Sequence, residues 1–145
     1  MKEQYDASAA VRQVVTLECV DPTGSMHDLE AELGFRARDP HAVTLAFAVP
    51  GDTVVWTFAR ELLVSGLDEP AGDGDVHVWP CLDNGGRAVV IIELCSPDGE
   101  LIAQARSRDV QTFLLRSFAL VPPGGESAFL DLDGLVSDLL GADAA

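Results

Sequence analysis

Residues 43–58 read VTLAFAVPGDTVVWTF, and this stretch decides the fold of the chain. Apolar side chains alternate with small or polar ones on both sides of a central turn, which indicates β-strands that each have one buried face. Pro50-Gly51-Asp52 has the composition of a tight turn, in which glycine adopts a positive φ. The stretch therefore predicts an antiparallel hairpin of two strands, 43–49 and 54–59, with these residues facing the core: Val43, Leu45, Phe47, Val49, Val54, Trp56 and Phe58.

The same alternation extends outward from the hairpin in both directions. Residues 88–95 are apolar on both faces except at Glu93, which indicates a central strand. Asp39-Pro40 is expected to end the strand before it, since proline has no N–H for the ladder. Residues 68–74 are predicted to be a loop. The pattern predicts five further strands, over residues 14–20, 31–38, 75–79, 88–95 and 101–106.

Three segments follow a helical period instead. A short helix is predicted over residues 60–64, with Gly66 as its C-cap. A second helix is predicted over 108–120, and a third over 132–141, where leucines recur at helical spacing. Residues 1–10 are polar and small and are expected to be frayed.

These elements define an α+β fold class. About seven strands in meander order predict a curled antiparallel sheet or partly open β-barrel, and the two C-terminal helices are expected to cover it. The length of 145 residues fits one domain spanning residues 1–145.

The net charge of the chain indicates which kinds of molecule it can bind. Twenty-four acidic residues against nine basic ones give a net charge of -15, which repels phosphate backbones and anionic membrane surfaces. Every charged residue after Arg116 is acidic. We therefore expect partner proteins with neutral or basic surfaces, no nucleic acid, and only an indirect association with a membrane.

Cysteine usage and hydropathy indicate the compartment. Cys19, Cys81 and Cys95 form no CxxC pair and lie in or beside predicted strands, so we expect buried, reduced thiols. The N-terminus lacks the apolar segment of a signal peptide, and no apolar run reaches the roughly 18–20 residues needed to cross a bilayer. The sequence predicts a cytoplasmic protein.

The sequence offers little support for catalysis or metal binding. Gly72-Asp73-Gly74-Asp75 lacks the following helix of a dinucleotide loop and the spaced ligands of a calcium loop, so it is interpreted as a tight turn. Asp75, His77, Trp79 and Cys81 share one face of a strand, where imidazole and thiolate could bind zinc, but third and fourth ligands are missing nearby in sequence. No GxSxG nucleophile elbow occurs. We predict no enzyme activity, no metal site and no cofactor.

The corner after the second predicted helix is the candidate binding site. It comprises Val121, Pro122, Pro123, Gly124, Gly125 and Glu126. Two prolines stiffen it, so it presents surface at low entropic cost, and two glycines allow a partner backbone to approach closely. The alternative interpretation is a plain helix breaker. Because the corner lies outside the predicted core, a β-branched residue in place of Gly124 is expected to leave the fold intact.

Six short sequence motifs resemble those of one protein family, and they occur in the same order as in that family. They are DPHAV (39–43), VVWTFARELLVSGL (54–67), PAGDGDVHVWP (70–80), SPDGE (96–100), FLLRS (113–117) and VPPGGE (121–126). Together they resemble the SsgA-like proteins of sporulating actinomycetes, and the SsgB branch most closely, over roughly residues 14–140. His41 replaces the usual tyrosine and Ser117 the usual threonine. The family-motif positions selected as candidate site residues are Asp39, Pro40, Trp56, Arg60, Gly72, Gly74, Asp75 and Pro80.

The resemblance implies a function in sporulation-specific cell division. SsgB-like members are expected to recruit the tubulin-like protein FtsZ to future septum sites, together with an SsgA-like paralogue, and to help hold the FtsZ ring at the membrane. The family fold is similar to that of the Whirly single-stranded nucleic-acid binders and implies a homotrimer. The resemblance offers no catalytic residues. A Whirly-like nucleic-acid binder is the alternative; it would need basic residues interleaved with exposed aromatic residues on the sheet face.

Overall fold

The computed structural model describes residues 8–21 and 23–129. Within these ranges the strands are β1 (Ala10–Val20), β2 (Met26–Arg36), β3 (Asp39–Val49), β4 (Asp52–Ala59), β5 (Ala71–Asp73), β6 (Val76–Leu82), β7 (Ala88–Ser96) and β8 (Gly99–Arg106). The helices are α1 (Arg60–Gly66) and α2 (Ser107–Leu120), followed by a 3₁₀ turn over Glu126–Phe129. The helix predicted over residues 132–141 lies outside the described residues, as does most of the predicted frayed end.

The strands pair antiparallel in one curled sheet, in the order β4-β3-β2-β1-β8-β7-β6-β5. Two meanders, β1–β4 and β5–β8, meet where β1 pairs with β8 at only two positions, Glu18 with Gln104 and Cys19 with Ala103. Along the rest of β1, helix α2 packs against the strand instead. Gln13 Nε2 donates a hydrogen bond of 2.8 Å to the carbonyl oxygen of Asp109 in α2. The predicted α+β class and curled antiparallel sheet are confirmed.

The structure refines two of the strand predictions. The sheet has eight strands in the described ranges rather than about seven, because Ala71–Asp73 in the predicted loop 68–74 pairs with β6. The strand before Asp39-Pro40 ends at Arg36, as predicted, but the dipeptide itself belongs to the next strand, because β3 begins at Asp39 and Pro40 is buried. The ladder shifts register between Phe35 and Arg36 at this point. Proline is tolerated at a strand start or a bulge, where its missing N–H costs no regular ladder bond.

The core lies on one face of the sheet, beneath α1 and α2. Of the residues predicted to face inward, those of β3 and β4 are buried or half-buried except Val49, which is exposed at the end of β3, so the prediction was wrong for Val49. Phe47 and Phe58 are buried, as is Phe35 of β2, and Trp56 is half-buried. From α2, Val110, Phe113 and Leu114 are buried against this face. Each fully buried side chain of this size contributes about 1.5–3 kcal/mol, so the alternation in the sequence accounts for most of the core. Neither helix is long enough, or apolar enough, to span a bilayer within the described ranges.

Gly66 ends α1 for a reason different from the predicted one. It has no left-handed φ, and the residue that caps the helix is Leu67, in the right-handed helical region. A Cβ atom at Gly66 would lie 2.2 Å from Val78 Cγ1. The glycine is therefore required for close packing of α1 on β6, not for a left-handed cap.

The three cysteines are free thiols, but they differ in exposure. Cys19 is buried in β1 and Cys95 is half-buried, whereas Cys81 near the end of β6 is exposed. The expectation of three buried thiols was wrong for Cys81, which lies on the face of the sheet away from the helices. Burial raises the pKa of the Cys19 thiol, so this thiol is held in its unreactive protonated form.

Candidate functional site

The corner from Val121 to Glu126 follows directly from the end of α2. The Val121 N–H donates a hydrogen bond of 2.9 Å to the carbonyl oxygen of Ser117, and Val121 is fully buried. The next four residues form a turn, in which the Gly125 N–H donates a hydrogen bond of 2.9 Å to the Pro122 carbonyl. Pro123 and Gly124 occupy its central positions, and the Gly124 φ of 82° is the conformation that a type II turn requires there. Pro122, Pro123 and Gly124 are exposed.

A buried arginine from another part of the chain lies beneath this corner. Arg60 is the first residue of α1 and is only 3% exposed. Its Nη1 donates a hydrogen bond of 2.8 Å to the Val121 carbonyl oxygen and one of 3.3 Å to Ser117 Oγ. Its Nη2 lies 3.1 Å from Glu126 Oε2. One guanidinium group therefore joins the end of α2 to the first residue of the 3₁₀ turn.

Two aromatic rings complete the environment of the guanidinium group. Its central carbon lies 4.7 Å from the centroid of Phe35 and 5.0 Å from that of Phe118. Burial of a charge is costly unless the charge is paired and hydrogen-bonded. Here a carboxylate, a carbonyl and a hydroxyl satisfy the donors, and the rings contribute cation–π attraction. The residue thus anchors the corner from below.

Glu126 is the acidic partner, and its side chain is 20% exposed. A hydrogen bond from its own backbone N–H, and then the one from Arg60, hold the pKa of this carboxyl below its ordinary value. The carboxylate therefore stays ionised to a lower pH than an ordinary glutamate, and the ion pair persists with it.

The structure changes two expectations about the corner. Val121 belongs to the core, so the corner as a whole does not lie outside it. Gly124 has open space around its Cα, but its positive φ means that a β-branched residue would strain the turn. The prediction that such a replacement leaves the fold intact was therefore wrong. The exposed part of the site is reduced to the turn Pro122–Gly125.

Arg60 was singled out from the sequence, but its connection with the corner was not. The signal available was an arginine inside an apolar run, after Phe58-Ala59 and before Leu62-Leu63. An arginine in such a position is either exposed on the polar face of the helix or buried with a partner. Sequence alone does not identify a partner sixty-six residues away.

The other singled-out positions do not converge on this site. Asp39 and Pro40 begin β3, and Trp56 is half-buried in β4. Gly72 lies in β5, and Gly74 and Asp75 form the turn between β5 and β6 at the far edge of the sheet, where Gly74 has a φ of 63°. Pro80 lies within β6, beyond the residues that pair with β5. The interpretation of Gly72–Asp75 as a tight turn entering a strand is confirmed for Gly74 and Asp75, whereas Gly72 and Asp73 belong to β5.

The face that carries His77 brings together more potential ligands than the sequence suggested. His77 Nδ1 lies 3.4 Å from Glu93 Oε1 on β7, without the alignment of a hydrogen bond. Ligand atoms of Glu93, Cys95 and Glu100 lie within 4.8 Å of one another. Neighbouring strands thus place two partly exposed carboxylates and one thiol on this face, and Glu93 lies between them and His77.

Comparison with known proteins connects this fold to one family. Residues 29–126 match the family model described as Streptomyces sporulation and cell division protein, SsgA. The chain is 41% identical over 127 residues to the sporulation-specific cell division protein SsgB of Frankia casuarinae, covering 87% of this chain and 88% of that protein. It is 42% identical over 125 residues to the SsgB of Streptomyces coelicolor, covering 86% and 90%.

Solved structures show the same fold. A crystal structure of an SsgA-like sporulation-specific cell division protein from Thermobifida fusca superposes with a TM-score of 0.83 at 34% identity, covering 93% of this chain and 98% of that one. A structure from work on SsgB mutations that correlate with longitudinal cell division in sporulating Streptomyces coelicolor gives a TM-score of 0.80 at 38% identity. The latter covers 88% of this chain and all of the other.

Proposed function

The chain belongs to the SsgA family of sporulation and cell-division proteins, and we propose that it acts as an adaptor in sporulation-specific cell division. In this function it binds the tubulin-like protein FtsZ and brings it to future septum sites. The relatives named above are sporulation-specific cell division proteins of the SsgB type, and the family is one of division proteins. The protein acts by binding rather than by catalysis.

The observation that carries the proposal is the anchored corner above Arg60. Its exposed turn, Pro122–Gly125, is closed by its own hydrogen bond, and its two ends are fixed by Arg60 through Val121 and Glu126. A loop held in one conformation loses little entropy when a partner binds. The acidic residues that follow favour a partner surface carrying lysine or arginine. A preorganised turn of this kind is suited to protein recognition.

The remaining partners are an SsgA-like paralogue and further copies of this chain. The face of the sheet away from the helices exposes apolar side chains, among them Val14, Val20 and Ile102. Exposed apolar residues on one face favour self-association. We propose a homotrimer in the cytoplasm at the division septum, associated with the membrane only through its partners.

Co-sedimentation with polymerising FtsZ tests the proposal. The full chain should pellet with FtsZ polymers, and Pro123→Lys should lower the pelleted fraction several-fold by placing a bulky charge on the turn. Pro97→Lys is the matched control, because Pro97 is also an exposed turn proline, between β7 and β8. Its pelleted fraction should equal that of the unmodified chain.

The co-sedimentation results test the adaptor function and the binding role of the turn Pro122–Gly125 separately. If the unmodified chain stays in the supernatant with FtsZ polymers, with and without the paralogue, the adaptor function is wrong. If it pellets and Pro123→Lys pellets equally well, the function stands and the turn is a helix breaker without a binding role. Thermal melting of both variants shows whether either change disturbs the fold.

The Whirly-like alternative finds less support in the sheet. Phe35, Phe47 and Phe58 are buried in the core and are not displayed to bases. Stacking on exposed aromatic rings is the basis of sequence-tolerant binding to single strands. The net charge of -15 also opposes binding to a single-stranded nucleic acid, because it repels the phosphates.

A further inference from the structure

The pairing of the strands confines the positive charge of the described chain to one end of the sheet. Because neighbouring strands are antiparallel, the turns β1–β2, β3–β4, β5–β6 and β7–β8 all lie at the same end. The described residues at this end include no lysine or arginine, but in or beside the turns they include the aspartates Asp21, Asp52, Asp73, Asp75 and Asp98. The arginines of the described ranges lie toward the other end, or in the two helices, which begin there: Arg12, Arg36, Arg38, Arg60, Arg87, Arg106, Arg108 and Arg116.

A groove of about 480 Å³ lies at this arginine end, on the sheet face opposite the helices, where β2 turns into β3. Its floor consists of small residues of β2 and β3, including Gly34, Ala42 and Ala46, with Val55 of the edge strand β4 beside them. A side chain at Gly34 would meet Thr44 Oγ1 directly. The small residues therefore create the depression, and Val55, which is 58% exposed, makes it apolar.

The rim of the groove carries more positive than negative charge. Arg12 of β1 and Arg36 and Arg38 at the β2–β3 turn are exposed and line it, together with the carboxylates Glu32 and Asp39. None of these three arginines forms a salt bridge with a described residue. Arginine binds a carboxylate with two parallel hydrogen bonds, so the rim is suited to an acidic surface.

An acidic surface lies at the opposite end of the strands, beside the other edge strand, β5. Asp73 and Asp75 flank the β5–β6 turn and are exposed, and neither forms a salt bridge with a described residue. The Asp75 carbonyl accepts a hydrogen bond of 2.9 Å from the Cys95 N–H, which joins this turn to the end of β7. There, ligand atoms of Glu93, Cys95 and Glu100 lie within 4.8 Å of one another. We call Asp73, Asp75, Glu93 and Glu100 the acidic corner.

The carboxylates of the acidic corner act on one another as like charges. The pKa of the Cys95 thiol is raised, first by its partial burial and then by Glu93, Glu100 and Asp75, as expected where negative charge is concentrated. A cationic partner surface relieves such repulsion. The groove and the acidic corner are therefore complementary in charge, but they lie at opposite ends of the strands and beside opposite edges of the sheet.

We propose that the acidic corner of one copy of the chain docks in the groove of the next copy, with Asp73 and Asp75 bonded to Arg36 and Arg38. Such a contact joins two different surfaces, and a head-to-tail contact of this kind closes a ring when its rotation permits. The number of copies, three, rests on the homotrimer of the proposed function. The contact itself follows from the groove and from the separation of the charges.

Charge reversal followed by light scattering tests this contact. Arg36→Glu/Arg38→Glu and Asp73→Lys/Asp75→Lys should each lower the mass from about three chains to about one, because like charges then meet and weaken the contact at least about tenfold. Combining all four changes in one chain should restore the mass of the unmodified protein, since the attracting charges have only exchanged places. Thermal melting of each variant shows whether the fold is retained.

The control is Asp68→Lys/Glu69→Lys, which makes the same change in net charge as Asp73→Lys/Asp75→Lys at two exposed residues after α1. It should leave the mass unchanged. A folded Arg36→Glu/Arg38→Glu variant that keeps the mass of three chains would overturn the head-to-tail contact while leaving the homotrimer in place. A combined variant that stays monomeric would overturn the contact as well. An unmodified chain that is a monomer would overturn both the contact and the homotrimer.

Discussion

Arg60 Nη1 donates a hydrogen bond of 2.8 Å to the carbonyl oxygen of Val121, sixty-one residues further along the chain. The bond joins the first residue of α1 to the residue that ends α2. Because Nη2 of the same group binds Glu126, one buried side chain fixes both ends of the exposed turn. The stability of the fold and the shape of the corner therefore depend on the same contacts.

Replacing Arg60 with methionine should destabilise the protein substantially. The change removes the partner of the half-buried Glu126 and leaves the Val121 carbonyl without its donor while filling much of the volume. A buried acceptor left unsatisfied costs about 1–3 kcal/mol. Urea denaturation should show this loss as a lower midpoint. Arg87→Met, at an exposed arginine, should have almost no effect. An Arg60→Met midpoint equal to that of the unmodified chain would show that the buried contacts add nothing.

The contribution of Glu126 should depend on pH with a definite sign. Its own backbone N–H, and then Arg60, lower the pKa of the carboxyl from the ordinary 4.5, so ionised Glu126 stabilises the fold above that value. This contribution is lost as the pH falls through the lowered pKa. The melting-temperature gap between the unmodified chain and Glu126→Gln should therefore be full at neutral pH and shrink in acid. A gap that grows, rather than shrinks, as the pH falls below the ordinary 4.5 would contradict this assignment.

Gly66→Ala should destabilise the packing of α1 on β6. The new Cβ would lie 2.2 Å from Val78 Cγ1 and 2.6 Å from Val78 Cβ, so strand or helix must move, at a cost of about 1–3 kcal/mol. Adding Val78→Ala should make room for the methyl group. In chemical denaturation, the loss caused by Gly66→Ala should thus be smaller in a Val78→Ala background. An equal loss in both backgrounds would place the strain elsewhere.

Self-association should be visible in solution. Light scattering should give about three times the 15.4 kDa mass of the chain. Val14→Lys, on the exposed sheet face, should lower the mass, because burial of a lysine in an apolar interface is unfavourable. Leu115→Lys, at an equally exposed position on α2, should leave it unchanged. A monomer at all micromolar concentrations would refute the homotrimer.

Single-stranded DNA and RNA should not bind at physiological salt. Binding to a polyphosphate depends on releasing counterions through many basic contacts, and a chain with a net charge of -15 is repelled at long range. Fluorescence anisotropy with labelled oligonucleotides should stay flat into the micromolar range. Sub-micromolar binding that weakens as salt rises would contradict the prediction and revive the Whirly-like alternative.

The alternation of apolar and polar residues in the sequence was enough to predict most of the sheet. Alternating residues in β3 and β4 placed the core side chains correctly except Val49, because one buried face is enough to fix which residues point inward. Periodicity did not find β5, whose three residues Ala71–Asp73 carry no alternation and join the sheet only by pairing with β6. It also misassigned Gly66, because a close approach to Val78 leaves no mark on the sequence near the glycine.

The sequence by itself determined the family, the curled antiparallel sheet and the corner as a stiff turn, since these depend on local residue types and their order. Only the tertiary structure decided that Arg60 lies beneath the corner and that Val121 belongs to the core. Only the tertiary structure brought Arg12 of β1 close to Arg36 and Arg38 at the turn between β2 and β3. The physical reason is that strand pairing and helix packing set these distances, and both join residues far apart in the chain.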